Sequence, residues 1–155
     1  MTPPQPVTVT IDVPQPRHAV YEYLDVMANH EAFTDHFLTD WSVSGPPSGV
    51  GAKVRVKAKA PGADTWIDIE VIEARAPERT VENATSAGGK RRTCGTYTLT
   101  ELPGNRTLVE FEFGYLSAPA LERPALPLMR PWLRRANEKA MERLAEQLAP
   151  VGSAA

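Results

Sequence analysis

The chain has 155 residues, of which 42% are hydrophobic and 23% are charged, and its net charge is −2. This length favours a single domain, and we expect it to occupy residues 1–150 and to be followed by a disordered tail at 151–155. The small net charge gives no general attraction to nucleic acid or to an anionic membrane. Because Cys94 is the one cysteine, the chain can form neither an internal disulfide framework nor a multi-cysteine zinc site.

The sequence also carries no signal for export or membrane insertion. The N-terminus, MTPPQPVTVT, lacks the basic and apolar regions of a signal peptide. No segment approaches the roughly 20 apolar residues that a membrane-spanning helix needs. We therefore expect a cytoplasmic protein, a location that also suits a single free thiol.

The first third of the chain predicts one strand followed by one or two short helices. Val7, Val9, Ile11 and Val13 alternate with polar residues, which is the period-2 pattern of a strand with one buried face. Residues 16–27 carry apolar side chains at helical spacing, and a short second helix is expected at 29–33.

Six further segments predict strands that are joined by short turns. Each is bounded by proline or glycine, and the predicted ranges are 40–44, 53–59, 65–73, 79–85, 92–101 and 107–116. Consecutive strands linked by tight turns favour an antiparallel sheet over a doubly wound parallel one.

The last long segment, residues 128–148, has a sustained 3.6-residue apolar period. On a helical wheel, one face carries Met129, Leu133, Ala136, Ala140, Leu144 and Leu148, with Met141 at its edge. The polar amide of Asn137 lies inside this apolar arc, where it needs a hydrogen-bonding partner or a wet cavity. We expect the sheet to bury this face and Asn137 to mark a pocket.

Three stretches resemble the START-like, or SRPBCC, superfamily. They are the opening VTVTIDVPQPRHAVYEYLDVMANHEAF, the turn and strand VSGPPSGVGAKVRVKA, and the hairpin CGTYTLTELPGNRTLVEFEF. The resemblance implies an α+β helix-grip fold, in which a curved antiparallel sheet of about seven strands wraps around the long C-terminal helix and leaves an internal cavity. Members include lipid-transfer domains, polyketide cyclases and dehydrases, ubiquinone-binding proteins and ring-hydroxylase subunits, so the function must be argued from the site.

Inward strand residues and the apolar helix face would line that cavity. The expected ligand contacts are Trp41, Val54, Val56, Ile67, Ile69, Tyr97, Phe111, Phe113, Leu133, Asn137, Ala140 and Met141. Small Ala136 and Ala140 and the adaptable Met141 favour open space. The alternative is that these side chains pack into a solid core and that Tyr97 and Asn137 bond to nearby backbone.

No catalytic residue stands out, and Tyr97, His36 and Asn137 are the weak candidates. His30 and His36, with Asp35 and Asp40, could form an acid–base pair at the cavity mouth, whereas an exposed loop is the alternative. The charged residues of the strands alternate outward, so no buried acid–base pair is evident. His18 falls on a polar helix face, and Cys94 points away from Tyr97. No metal-ligand spacing, phosphate loop or dinucleotide fingerprint is present, and we expect neither a metal nor a cofactor.

Two basic clusters and one proline-rich segment are the remaining candidate functional regions. Outward Lys53, Arg55, Lys57 and Lys59 form a basic stripe, and residues 90–92 form a second cluster; both favour solvated faces over nucleic-acid contact. Residues 119–131, with Leu121, Leu126, Leu128 and Trp132, predict either a cavity lid or an apolar patch of a homodimer.

Two functions remain open. The favoured one is binding of a hydrophobic small molecule, such as a lipid, an isoprenoid or a polyketide-like compound, in the cavity. The alternative is a polyketide cyclase or dehydrase that uses acid–base residues of the same cavity.

Overall fold

The computed structural model describes residues 4–150, and the tail expected at 151–155 lies outside this range. Seven strands form one antiparallel sheet with the spatial order β1-β7-β6-β5-β4-β3-β2. The strands are β1 (Val7–Val13), β2 (Leu38–Ser44), β3 (Lys53–Ala60), β4 (Ala63–Arg75), β5 (Arg79–Ser86), β6 (Arg91–Leu102) and β7 (Arg106–Ser117). The helices are α1 (Arg17–Asp25), α2 (Glu31–Thr34) and the long α3 (Leu126–Gln147), with short 3-10 turns at Met27–His30, Ala87–Gly89 and Arg123–Ala125.

The order of the strands follows from the short connections. Each strand from β2 to β6 pairs antiparallel with the next one along the chain. β1 then pairs with β7, with Val7 opposite Phe113 and Val13 opposite Thr107. The predicted helix-grip fold is confirmed: a seven-stranded antiparallel sheet with a long C-terminal helix and short helices after the first strand.

Tertiary contacts interrupt the helix that was expected at residues 16–27. α1 ends at Asp25, and Val26 is extended because it bridges to Ser48 in the β2–β3 connection. The Asp25 carboxylate also accepts a hydrogen bond of 3.1 Å from the backbone N–H of Gly49. These partners lie more than 20 residues away in sequence, so helical periodicity alone could not locate this end.

α3 packs along β1 and against α2. Its buried residues are Leu126, Leu133, Ala136, Asn137, Ala140, Met141 and Leu144, which is the face that the sequence period predicted.

Two arginines of this helix also donate hydrogen bonds to backbone carbonyl oxygens at the outer edge of β1. Arg130 donates to the carbonyl oxygens of Gln5 and Pro6, and Arg134 donates to that of Thr8. The edge strand is therefore capped by side chains and does not present free acceptors there.

We predict that the C-terminal half of α3 holds the fold together. Leu144 has no exposed surface, whereas Leu128 on the same helix is 80% exposed. Replacing Leu144 by Ala should lower the free energy of unfolding by about 2–5 kcal/mol because it leaves a cavity in the core. Leu128→Ala, the matched control, should change it by no more than about 0.5 kcal/mol. Urea unfolding measures both, and equal losses would contradict this account.

Candidate functional site

A cavity of about 460 Å³ lies between the sheet and α3. Its walls come from all strands except β1, from the turn that precedes α2, and from the N-terminal two thirds of α3. The volume lies within the range of roughly 300–1,000 Å³ that is usual for small-molecule sites. Most of the lining side chains are aliphatic or aromatic.

Most of the predicted ligand contacts line this cavity. They are Trp41, Ile67, Ile69, Tyr97, Phe111, Phe113, Leu133, Asn137, Ala140 and Met141. Val54 and Val56 do not line it. They are 2% and 0% exposed and pack in a second core cluster with Met27, Ala52 and Val71. The side chains of Leu38 and Trp41 pack against this cluster, and both line the cavity in place of the two valines.

Small residues create the open space. Ala58, Ala84, Gly95 and Ala140 all line the cavity, whereas Ala136 is buried outside it. A Cβ atom on Gly95 would lie 3.0 Å from the Phe111 ring and 3.3 Å from Cγ of Glu82. Gly95 therefore lets these two side chains share one part of the sheet surface.

Glu82, on β5, is a cavity residue that the sequence reasoning missed. Its side chain is partly accessible through the cavity but is otherwise enclosed by protein, and this loss of water raises the pKa of its carboxyl to about 7. No hydrogen bond or ion pair reaches this carboxyl from the described part of the chain. The expectation that charged strand residues all point outward is therefore wrong at this position.

Tyr97 and His30 lie in the same region. The Tyr97 ring packs 4.5 Å from Phe111 and meets the His30 ring edge-on at 5.6 Å, measured between ring centroids. Burial, and to a lesser degree the Glu82 charge, raises the pKa of Tyr97 well above its usual value. Burial also lowers the pKa of His30. Both side chains are therefore neutral at pH 7.

His30 was expected at the cavity mouth, but it is 5% exposed and lines the interior. Its Nε2 lies 2.7 Å from the carbonyl oxygen of Leu24. Because a carbonyl oxygen can only accept, Nε2 carries the proton and Nδ1 is left as an acceptor. The buried hydroxyl of Thr34 donates to the carbonyl of His30 and holds this turn in place.

Asn137 has the backbone partner that we gave as an alternative. Its Nδ2 donates to the carbonyl oxygen of Leu133 over 2.9 Å, one turn earlier in α3. The amide is 6% exposed and also lines the cavity. One polar end of this side chain is thus fixed to the helix, and Oδ1 remains an acceptor.

His36 does not line the cavity. Its Nε2 donates to the carbonyl of Ala136 at 2.9 Å, and its Nδ1 accepts from Arg143 at 2.8 Å. Arg143 also forms an ion pair with Asp35, and Asp40 is exposed. The expected His–Asp pair at the mouth is therefore not formed, because an arginine of α3 lies between the two groups.

The exposed lining residues locate the cavity mouth. Pro61, Leu121 and Ala125 are exposed, so the opening lies between the β3–β4 turn and the segment that precedes α3. The Arg91 guanidinium ties this segment to the β5–β6 hairpin through Glu122 and Ser86. Leu121, Leu126 and Trp132 line the cavity, as a lid would, whereas Leu128 does not.

The basic stripe is largely neutralised by its neighbours. Lys53, Arg55 and Lys59 form ion pairs with Glu70, Asp68 and Asp64 of β4. The side chains of Arg55 and Lys57 also lie about 5 Å from the Trp66 ring centre, at 5.2 and 5.1 Å. These contacts fit a solvated strand face.

Residues 4–150 lack two features that would indicate other kinds of function. No three His, Cys, Asp or Glu side chains lie together there as potential ligands of one metal ion. None of the helices in this range combines the length and the hydropathy needed to cross a membrane.

Comparison with known proteins identifies the family. Residues 4–149 match the family described as "Polyketide cyclase / dehydrase and lipid transport". The chain belongs to this family. The match spans nearly the whole sequence, so the family assignment covers both the sheet and α3. No curated protein matches the sequence significantly.

Several solved structures share the fold of this family member. TTHA0849 from Thermus thermophilus is 18% identical, with 96% of this chain and 99% of that one covered and a TM-score of 0.74. Major latex-like protein 151 from Panax ginseng is 10% identical, with 94% and 97% covered and a TM-score of 0.68. DynU16, from the dynemicin biosynthetic locus, is 23% identical, with 94% of this chain but 48% of that one covered and a TM-score of 0.63. At these identities the likeness shows the fold and not a shared ligand.

We predict that Glu82 makes stability depend on pH. Its pKa is about 7 in the folded protein, against an ordinary value of 4.5. Between these pH values the unfolded chain releases the proton and the folded protein keeps it, so stability falls as pH rises from about 4.5 to 7 and is then constant. The loss is on the order of 3 kcal/mol.

Glu82→Gln should remove this loss, because the amide does not ionise. Urea unfolding at pH 5, 6, 7 and 8 should show the variant gaining on the wild type as pH rises. The exposed Glu112→Gln is the matched control and should run parallel to the wild type. A constant difference between Glu82→Gln and wild type at all pH values would refute the assignment.

Proposed function

We propose that the protein binds a hydrophobic small molecule, of the lipid, isoprenoid or polyketide-like kind, in the cavity between sheet and α3. The observation that carries this proposal is the enclosed, mainly apolar volume of about 460 Å³ with a mouth beside Leu121. A cavity of this kind loses contacts that a solid core would have made, so the sequence maintains it at a cost in stability.

Burial of apolar surface would supply most of the affinity. Each 100 Å² of ligand surface removed from water contributes about 2.5 kcal/mol. Aromatic walls from Phe111, Phe113 and Trp132 offer flat surfaces for such a ligand. The rotational and translational freedom that the ligand loses offsets part of this gain.

The comparisons support the same class of ligand. The family description includes lipid transport, which requires a hydrophobic cargo. DynU16 is named for the dynemicin biosynthetic locus, which makes natural-product intermediates worth testing as ligands. Neither similarity names the ligand of this chain.

We predict that partly filling the cavity weakens uptake. Ala140 is 2% exposed and lines the cavity, so the ring of Ala140→Phe would enter the open volume. Binding of diphenylhexatriene, a neutral fluorescent hydrocarbon, should weaken by at least about tenfold, which corresponds to 1.4 kcal/mol. Glu142→Phe adds the same ring to the exposed face of α3 and should bind the probe as the wild type does.

Native mass spectrometry of the purified protein provides a second measurement. A bound apolar compound should be present in the wild type and absent from Ala140→Phe. If the wild type takes up neither a cellular compound nor diphenylhexatriene, the binding function is wrong.

A second function, of the cyclase or dehydrase type, is favoured by the position of Glu82 and Tyr97. Glu82 lies opposite Gly95, two residues before Tyr97 on β6, so the carboxyl and the phenol lie on the same face of the sheet. As a carboxylate, Glu82 could remove a proton from a carbon next to a ligand carbonyl. The resulting enolate would form a carbon–carbon bond to a second carbonyl, and Tyr97 or the protonated Glu82 would deliver a proton to the alkoxide oxygen.

Tyr97→Phe tests this second function. With a poly-β-ketone thioester as substrate, we expect kcat to fall by roughly 100-fold, the lower range for loss of a proton-transfer group. Uptake of diphenylhexatriene should not change. Tyr23→Phe is the control, because its hydroxyl donates to the carbonyl of Asn29 and does not line the cavity. Equal rates for wild type and Tyr97→Phe would exclude this role for the phenol.

A further inference from the structure

Three N–H groups that line the cavity donate to backbone carbonyls. The Trp41 indole donates to the carbonyl of Leu38 at 3.0 Å, Asn137 Nδ2 donates to Leu133 at 2.9 Å, and His30 Nε2 donates to Leu24 at 2.7 Å. Because all three partners are carbonyl oxygens, which only accept, the orientation of the amide and the tautomer of the imidazole follow from chemistry.

Three groups with lone pairs that face this region receive no hydrogen bond from the described residues. His30 keeps Nδ1, Asn137 keeps Oδ1, and the Glu82 carboxyl has no partner among the described residues. The Tyr97 hydroxyl has no partner there either, and it can accept as well as donate. Buried polar groups in proteins are normally hydrogen-bonded, so these lone pairs, and above all those of the Glu82 carboxyl, call for donors from the ligand or from water.

We infer that the ligand carries a hydrogen-bond donor, an amine or a hydroxyl group, which it directs to Glu82 while its apolar part fills the cavity. This inference rests on the proposed binding function and specifies its ligand class. The ligand donor would replace the water that the carboxyl loses on burial. An ammonium would add the attraction of a charge pair in a site with little water, where such pairs are stronger than at the surface.

The same arrangement disfavours acceptor-ended ligands. A fatty-acid carboxylate or an ester would place further lone pairs against Glu82, and two carboxylates at close range repel each other. Arg91, the one Lys or Arg among the described lining residues, is already paired with Glu122 and Ser86 near the mouth. Free fatty acids are therefore not the ligands that these polar groups select.

The remaining titratable groups of the cavity do not compete with Glu82 near pH 7. Tyr97 and Tyr115 are neutral because burial raises the pKa of each phenol. His30 is neutral because burial lowers its pKa. The opposite charges of Arg91 and Glu122 are paired with each other. Ionisation of Glu82 is thus the charge change that a ligand in the interior would encounter.

The experiment compares matched twelve-carbon ligands by displacement of diphenylhexatriene from the wild-type protein. Dodecylamine and 1-dodecanol carry donors, whereas methyl dodecanoate and dodecanoate carry acceptors. We expect both donor ligands to bind about tenfold or more tightly than both acceptor ligands, since a hydrogen bond to a charged group is worth about 1.5–3 kcal/mol.

Glu82→Gln and pH separate a specific contact from general hydrophobicity. The variant should lose about tenfold in affinity for dodecylamine relative to its own affinity for diphenylhexatriene, which has no polar group for residue 82 to contact. For the wild type, dodecylamine affinity should rise about tenfold from pH 6 to pH 8 as Glu82 ionises, because the amine stays protonated throughout. The exposed Glu112→Gln should behave as the wild type in both measurements.

Each outcome decides the inference. Preference for dodecylamine or for 1-dodecanol, lost in Glu82→Gln, supports it and distinguishes a cationic from a neutral donor. If dodecanoate or methyl dodecanoate binds as tightly as the donors, the inference fails while diphenylhexatriene binding keeps the proposed function intact. If no compound binds, the proposed function fails and the inference fails with it.

Discussion

The structure depends on burial of one face of α3 against the concave side of the sheet. The two ends of that face have different surroundings. Near the C-terminus, Leu144 is fully buried and packs in the main core cluster. From Leu126 to Met141, the same face covers the cavity. Leu144 fixes the C-terminal end of the helix, and the hydrogen bonds of Arg130 and Arg134 to the backbone beside β1 hold the part that covers the open volume.

The cavity stays open because small and large side chains are distributed unevenly around it. The centre is open because small residues line it, namely Ala58, Ala84, Gly95 and Ala140. At the wall, the Phe111 and Tyr97 rings pack tightly against each other. Val54 and Val56 belong to a separate, filled cluster under β3 and β4. The sheet thus combines a solid core, which supplies stability, with a hollow that is available to a ligand.

Glu82 is the feature that general packing cannot explain. An unpaired carboxyl in an apolar cavity destabilises the folded protein at neutral pH, and a stability requirement alone would favour a neutral side chain there. Destabilising ionisable groups of this kind are concentrated at the functional sites of proteins. His30 Nδ1 and Asn137 Oδ1 add unshared acceptors to the same interior. At the mouth, Arg91 holds Glu122 through both Nε and Nη2, so residues 119–131 are fixed to the end of β6.

The sequence by itself determined the elements and their general arrangement, whereas only the tertiary structure decided which inward residues meet open space and which polar groups lie among them. Period-2 alternation in β1 and β7 and the 3.6-residue period of α3 are local signals, and tight turns allow few sheet topologies. β5 carries polar residues on both faces, and the neighbouring β4 shifts its register between Val71 and Glu73, so alternation could not show that Glu82 points inward. His30 and His36 differ in role because one turns to Leu24 and the other to Ala136, 100 residues away. Such contacts depend on how distant segments pack, and no local pattern encodes that.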